Sequence, residues 1–349
     1  MIQNGALRSR KPVNSILQTS PQPLHKIEST SSSAVHAVTL TNGRLTARLL
    51  SYGGILQDLR LAGHDSSLVL GFDHFAPYQQ EGGYIGATAG RYANRIAGGH
   101  LELDGTVYQL DQNFLGRHTL HGGRVSTGKQ LWQVTAHAPD QVSFALELPD
   151  GHMGFPGRLN IELTWRISDE STLCFGVRAQ TDRLTLCNFA HHSYFNLTGR
   201  PDMAGHSLQI AADSYLPVDD ELIPTGEVRA VKGTGFDFRT PRILPADLPL
   251  DTNFCLSDAR QPLRPVAWLT TDKGPSLELR TTEPGLQIYD GANLSSCATG
   301  LNGASYKPFA GLALEPQLWP DAPHHPKFPV AILHPGEVYI QKTEFKFNT

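Results

Sequence analysis

Leu159-Asn160-Ile161-Glu162-Leu163-Thr164-Trp165-Arg166-Ile167-Ser168 alternates apolar and polar residues without a break. A period of two puts every apolar side chain on one face of an extended chain and every polar one on the other. The stretch therefore predicts a strand buried on one side and wet on the other. After the polar break Ser168-Asp169-Glu170-Ser171 the alternation resumes at Leu173, Phe175, Val177 and Ala179, which predicts an antiparallel hairpin. Val142, Phe144, Leu146 and Leu148 predict a further strand. Asp104-Gly105, between Leu101-Glu102-Leu103 and Thr106-Val107-Tyr108, is a strong signal for a tight hairpin turn. No long helical period is found, and only short helical turns are expected, near Phe75 to Gln80 and Pro245 to Leu250. The pattern predicts an all-β protein built as a large antiparallel β-sandwich.

The composition agrees. Among 349 residues there are 33 Gly and 24 Pro, as a turn-rich β-protein needs. The formal net charge of −4 argues against a nucleic-acid partner or a polybasic membrane surface. No apolar run reaches the roughly 18 residues of a membrane span. No pair among Cys174, Cys187, Cys255 and Cys297 has the Cys-x-x-Cys spacing of a zinc ribbon or a thioredoxin-type site. A chain this long builds its core without disulfides, so the thiols are expected reduced, mostly buried and cytoplasmic. Arg8, Arg10 and Lys11 are followed by no apolar segment, which argues against a secretory signal. Residues 1–33, rich in Ser, Pro, Gln and Thr, are expected to be a flexible or loosely packed extension, and deletion of residues 1–30 is expected to leave activity largely unchanged. Residues 34–349 carry neither a linker nor a fixed-period repeat and are expected to form one domain.

Two stretches carry chemistry. His191-His192-Ser193-Tyr194-Phe195-Asn196-Leu197 gathers two imidazoles, a phenol and an amide without a fixed charge. Alone it reads most simply as a half-buried strand with satisfied histidines. Histidine is also the side chain that exchanges protons near neutrality. In Leu312-Ala313-Leu314-Glu315-Pro316-Gln317-Leu318-Trp319-Pro320-Asp321 a single Glu ends an apolar run, where partial desolvation raises a carboxylate's basicity.

These two stretches resemble those of the aldose 1-epimerases, or galactose mutarotases. Further segments carry the resemblance in the family's order over residues 35 to 347: Gly90-Arg91-Tyr92-Ala93-Asn94-Arg95-Ile96, Leu120-His121-Gly122-Gly123, Tyr215-Leu216-Pro217-Val218-Asp219, Ile223-Pro224-Thr225-Gly226-Glu227, Phe236-Asp237-Phe238-Arg239, Asp251-Thr252-Asn253-Phe254, Gly285-Leu286-Gln287-Ile288-Tyr289 and Pro335-Gly336-Glu337. The resemblance implies one oversized sandwich with a sugar cleft across one sheet. It implies interconversion of the α and β anomers of a neutral aldose of the galactose or glucose type. That reaction moves protons and opens and closes a ring, so no cofactor is implied, and the partner is a small sugar bound by a monomer or homodimer. By resemblance Glu315 is the general base and His192 the general acid. Asn94, Arg95, His121, Tyr194, Asp251 and Gln287 are expected to hold the sugar. Trp319 suits an apolar face for the ring or a place in the core.

Other readings compete. Asp251 and Glu315 as paired carboxylates would make a glycoside hydrolase. A non-catalytic sugar-binding or regulatory module on the same fold is another possibility, as is a hexose-6-phosphate mutarotase needing further cations. The sequence departs from the common family pattern at His191, Thr252 and the segment Arg124 to Trp132. The first two are expected to alter specificity, and the third leaves a cleft wall undefined. His324-His325 is expected not to chelate a metal, because neighbours on an extended chain point apart.

Overall fold

The computed structural model describes residues 35–80, 83–168, 171–244 and 249–348. The expected extension at 1–33 and most of the expected turn at Pro245 to Leu250 lie outside these residues.

The strand Leu159–Ser168 alternates buried and half-buried along its whole length. It pairs antiparallel with Thr172–Thr181 and with Gln141–Leu148, as the alternation predicts. These lie within a nine-stranded sheet that also holds Gln133–Ala138, Tyr339–Asn348, Ser276–Thr281, Arg264–Thr271, His206–Ile210 and Arg242–Ile243. Asp104 and Gly105 both have positive φ, 49° and 71°, and join the strands His100–Leu103 and Thr106–Gln109. That is the conformation a two-residue hairpin turn demands. Ala76–Gln80 is a short helix, as expected.

A second sheet of six strands carries the site. Its order is Tyr194–Phe195, Leu312–Gln317, Gly285–Tyr289, Asp251–Cys255, Ser214–Tyr215, Arg229–Ala230. Phe195, Phe254, Leu286, Ile288, Leu312 and Leu314 turn inward from it. They join Leu159, Ile161, Leu163, Trp165, Phe175 and Val177 of the larger sheet in one apolar cluster. At ~25 cal/mol per Å² of apolar surface, burial of this kind is the main stabilising term. The face of the six-stranded sheet opposite that core is left for polar groups.

Candidate active site

The register of the six-stranded sheet explains which residues meet. Asn253 lies opposite Gln287, and Gln287 opposite Glu315, in one row. Asp251, Tyr289, Ala313 and Tyr194 form the adjacent row. Residues two apart on a strand share a face, so both rows stand on the side away from the core. A cavity of about 250 Å³ lies over them. All eight residues expected at the site line it: Asn94, Arg95, His121, His192, Tyr194, Asp251, Gln287 and Glu315.

Glu315 is the fourth residue of a strand in which every residue is buried, rather than its last. Its Oε1 is 3.5 Å from His192 Nε2. Burial raises the Glu315 carboxyl well above the usual range; the charge of Asp251 adds to this, and Arg95 opposes it. Burial pushes His192 the other way, down from the ordinary imidazole value. Each group thus holds its charge reluctantly, a condition that suits proton exchange.

Asp251 is held on both oxygens. Gln287 Nε2 donates to Oδ1 at 2.6 Å and Arg95 Nη2 to Oδ2 at 2.9 Å. Asn94 Oδ1 accepts from the Arg95 backbone N–H at 2.9 Å, and the Arg95 guanidinium stacks 4.8 Å from the Phe114 ring. These contacts order a fork of donors and an acceptor before any ligand arrives.

His121 and Asn94 both adopt left-handed backbone, φ 53° and 66°. They bond reciprocally: the His121 N–H donates to Asn94 O at 3.0 Å, and the Asn94 N–H to His121 Nδ1 at 3.2 Å. Gly122, φ 86°, passes so close to Gly90 that a Cβ would meet its carbonyl oxygen at 2.2 Å, which requires glycine here. Burial, then the charges of His192, Arg95 and Lys129, lowers His121 well below its ordinary value. The ring is therefore neutral, and with Nδ1 accepting, Nε2 carries the hydrogen. His121, His192 and Glu315 do offer potential ligand atoms within 4.8 Å of one another. Because Nδ1 already accepts from Asn94, His121 would have to ligate through Nε2, which needs the opposite tautomer. The cluster suits proton transfer and hydrogen bonding better than metal binding.

Several residues depart from the sequence reading. His191 turns into the core between Trp165 and Phe175, at ring distances of 4.6 and 5.5 Å, with Nε2 at 2.7 Å from Ser193 Oγ. Thr252 is likewise buried, and its strand neighbours Asp251 and Asn253 take the cavity face. Neither His191 nor Thr252 lines the cavity. Trp319 is a core residue: its indole N–H donates to Pro284 O at 3.0 Å and its ring packs on Phe328. His324 and His325 do not point apart; on a helical turn both reach the buried Asp321 carboxylate, at 2.6 and 3.4 Å. Arg91 is sealed in the interior against the carbonyls of Pro156 and Gly157, which leaves Arg95 as the arginine in the cleft. The segment after Gly123 supports a wall. Ser126 Oγ lies 3.1 Å from the Tyr84 hydroxyl, and Lys129 Nζ lies 5.3 Å from the Tyr84 ring.

Sequence reasoning missed Tyr84, Phe114, Leu222, Tyr289 and Asn293, which also line the cavity. The Tyr84 ring lies tilted 4.6 Å from that of His121 and stacks on His192 at 6.2 Å. Of these only Tyr289 carried a signal, being two residues beyond Gln287 on the same face.

Comparison with known proteins adds independent findings. The profile of the aldose 1-epimerase family matches residues 36–346. A mouse galactose mutarotase (Mus musculus) is 39% identical over 90% of this chain and 94% of its own. An aldose 1-epimerase from Escherichia coli (strain K12) is 35% identical over 88% of this chain and 93% of its own. The crystal structure of a GalM/aldose epimerase homologue from C. elegans superposes with a TM-score of 0.85 at 33% identity, covering 90% of this chain and 99% of that one.

Proposed function

The chain belongs to the aldose 1-epimerase family and is an isomerase of the mutarotase type, and from that premise we propose that Glu315 is its general base and His192 its general acid. Glu315 takes the proton of the C1 hydroxyl while His192 gives one to the ring oxygen. The C1–O5 bond breaks, and its electrons go to the ring oxygen as C1 becomes the aldehyde carbon. Rotation about C1–C2 presents the other face of the carbonyl. Reclosure returns both protons to their starting groups, and atoms and charge balance over the cycle. No oxidation state changes, so the cycle calls for no redox group.

The observation that carries this reading is the 3.5 Å separation of His192 Nε2 and Glu315 Oε1 inside a cavity lined by sugar-binding groups. The two oxygens that exchange protons are both bonded to C1, so an acid and a base this close can serve both. Arg95, Asp251 and Gln287 bind ring hydroxyls, and His121 donates its Nε2 hydrogen to the sugar. A neutral aldose of the galactose or glucose type fits this set. The paired-carboxylate reading is disfavoured, because both Asp251 oxygens are already engaged by Gln287 and Arg95. A sugar phosphate is disfavoured because Arg95 is neutralised by Asp251. Among the described residues no helix is long and apolar enough to cross a membrane. The thiols Cys174, Cys187 and Cys255 are buried and Cys297 is exposed, all free, which suits a protein working in the reducing cytoplasm.

Polarimetry of freshly dissolved α-galactose, α-glucose and glucose 6-phosphate tests this. The expected order of kcat/KM places a neutral hexose first. A higher value for the phosphate would overturn the substrate assignment, and full activity in Glu315→Gln would overturn the base.

A further inference from the structure

Glu221 stands outside the cavity and joins two loops that are distant in the sequence. On the first loop, Phe114 and His118 bond to each other's backbone, each N–H donating to the other's carbonyl oxygen at 2.9 Å. On the second, Asp219 Oδ1 accepts from the N–H groups of Glu221 and Ile223, both at 2.9 Å. That turn leaves Leu222 in left-handed backbone at φ 62°. Each loop is thus pinned within itself, and each supplies one side chain to the cavity wall: Phe114 from the first and Leu222 from the second.

The bond between the loops is built on a defined tautomer. His118 Nδ1 accepts from the Gly98 N–H at 2.9 Å. Burial, with the charge of Arg117 adding to it, lowers His118 below the ordinary imidazole value, so the ring is neutral near neutrality. The hydrogen then sits on Nε2, which donates to Glu221 Oε2 at 3.1 Å, across 103 residues of sequence. Glu221 Oε1 faces Arg117 of the same first loop. The Arg117 side chain is 60% exposed, so water weakens that ion pair. His118 is buried, and a hydrogen bond to a carboxylate there is the stronger tie.

We propose that Glu221 is a positioning residue for sugar binding, which ties the Phe114 loop to the Leu222 loop and holds two walls of the cleft at a fixed spacing. Its effect reaches the sugar through those two walls and through Arg95, whose guanidinium lies 4.8 Å from the Phe114 ring. Walls already ordered need not be ordered by the ligand, and that saving appears as affinity. The inference goes beyond the roles of Glu315 and His192 and rests on the cavity being the sugar site.

Steady-state polarimetry with galactose tests it. Glu221→Ala should raise KM by about threefold or more, with kcat within about twofold of wild type. Glu221→Gln, whose amide oxygen still accepts from His118 Nε2, should restore most of the lost affinity. The thermal midpoint of both variants should stay within a few degrees of wild type. An unchanged KM in Glu221→Ala overturns the proposal, with or without a lower midpoint, because the contact then serves stability alone. A fall in kcat at unchanged KM also overturns it, as does a raised KM that Glu221→Gln leaves in place. The two readings fail separately. An active Glu315→Gln removes the base assignment and leaves the KM comparison readable; an unchanged KM in Glu221→Ala removes only the tie between the loops.

Discussion

The Nε2 atom of His192 stands 3.5 Å from Oε1 of Glu315, with both side chains almost wholly buried. The two come from different segments, the short strand Ala190–His192 and the buried strand Leu312–Gln317, which the fold packs side by side. Neither is at home as an ion in so dry a place, so proton exchange with a bound sugar is made easy by the same burial that builds the core.

Glu315→Gln keeps the shape of the side chain and removes the base. Turnover measured by polarimetry is expected to fall by about 10²–10⁴-fold. The circular dichroism spectrum and thermal midpoint should stay close to wild type. Retention of more than a tenth of the activity would exclude Glu315 as the base.

His192→Asn is expected to be similarly damaging to kcat, whereas His191→Asn should act mainly on stability. His191 faces Trp165, Phe175 and Phe345 and reaches no part of the cavity. The comparison is kcat against chemical denaturation midpoint for each variant. A large fall in kcat for His191→Asn at unchanged stability would contradict the register.

Asp251→Ala and Gln287→Ala should raise KM, by about tenfold or more for Asp251, because the loss also leaves Arg95 buried without its partner. Steady-state kinetics with galactose separates KM from kcat. A fall in kcat alone would mean that Asp251 takes part in proton transfer.

The activity profile should be bell-shaped. Burial raises Glu315 and lowers His192, so the state with Glu315 ionised and His192 protonated is a minor one, greatest between the two titrations. Below that window the ionised base is lost, and above it the protonated acid is lost. Glu315 and His192 titrate as a pair, so the two limbs belong to the pair rather than to either residue. A flat profile from pH 4 to 9 would be incompatible with this assignment.

Stability should fall on acidification, and His191 identifies one cause. Burial, with the charge of His192 adding to it, pushes the imidazole down to about 3. Unfolded it titrates near 6.5. Between those values the unfolded chain holds a proton that the folded one refuses, so lowering the pH favours unfolding. From pH 7 to about 4.5 this group should cost about 2–3 kcal/mol. Urea unfolding of wild type and His191→Asn at the two pH values checks it. The variant should lose less stability than wild type; an equal loss would show that His191 does not titrate as described.

The strand Leu159–Ser168 and its neighbours were legible because their period of two is unbroken, and burial follows it residue by residue. The eight expected cavity residues came from motifs whose spacing survives folding. What the sequence hid was direction. His191 and His192 are adjacent and chemically alike, and only the packing of Trp165 tells which faces inward. Trp319 and Arg95 look equally suited to a sugar, yet one belongs to the core and the other to the cleft. Tyr84, Phe114 and Leu222 come from loops, whose positions depend on contacts such as Tyr84 with Ser126 that no local pattern encodes.

Asp251, Gln287 and Glu315 are spaced by the hydrogen-bond ladder that also aligns Phe254, Ile288 and Leu314 on the other side. Moving one of these polar groups along its strand by a residue would turn an apolar side chain into the cleft and a polar one into the interior. The catalytic strands are therefore nearly frozen as material for change. A descendant with a different sugar preference has its freedom elsewhere, in the loop residues that reach over the sheet. Leu222 already sits there in left-handed backbone at φ 62°, beside Phe114 and Tyr84. Loop residues such as Leu222, Phe114 and Tyr84 can thus reshape the cleft while Asp251, Gln287 and Glu315 keep their places on the sheet.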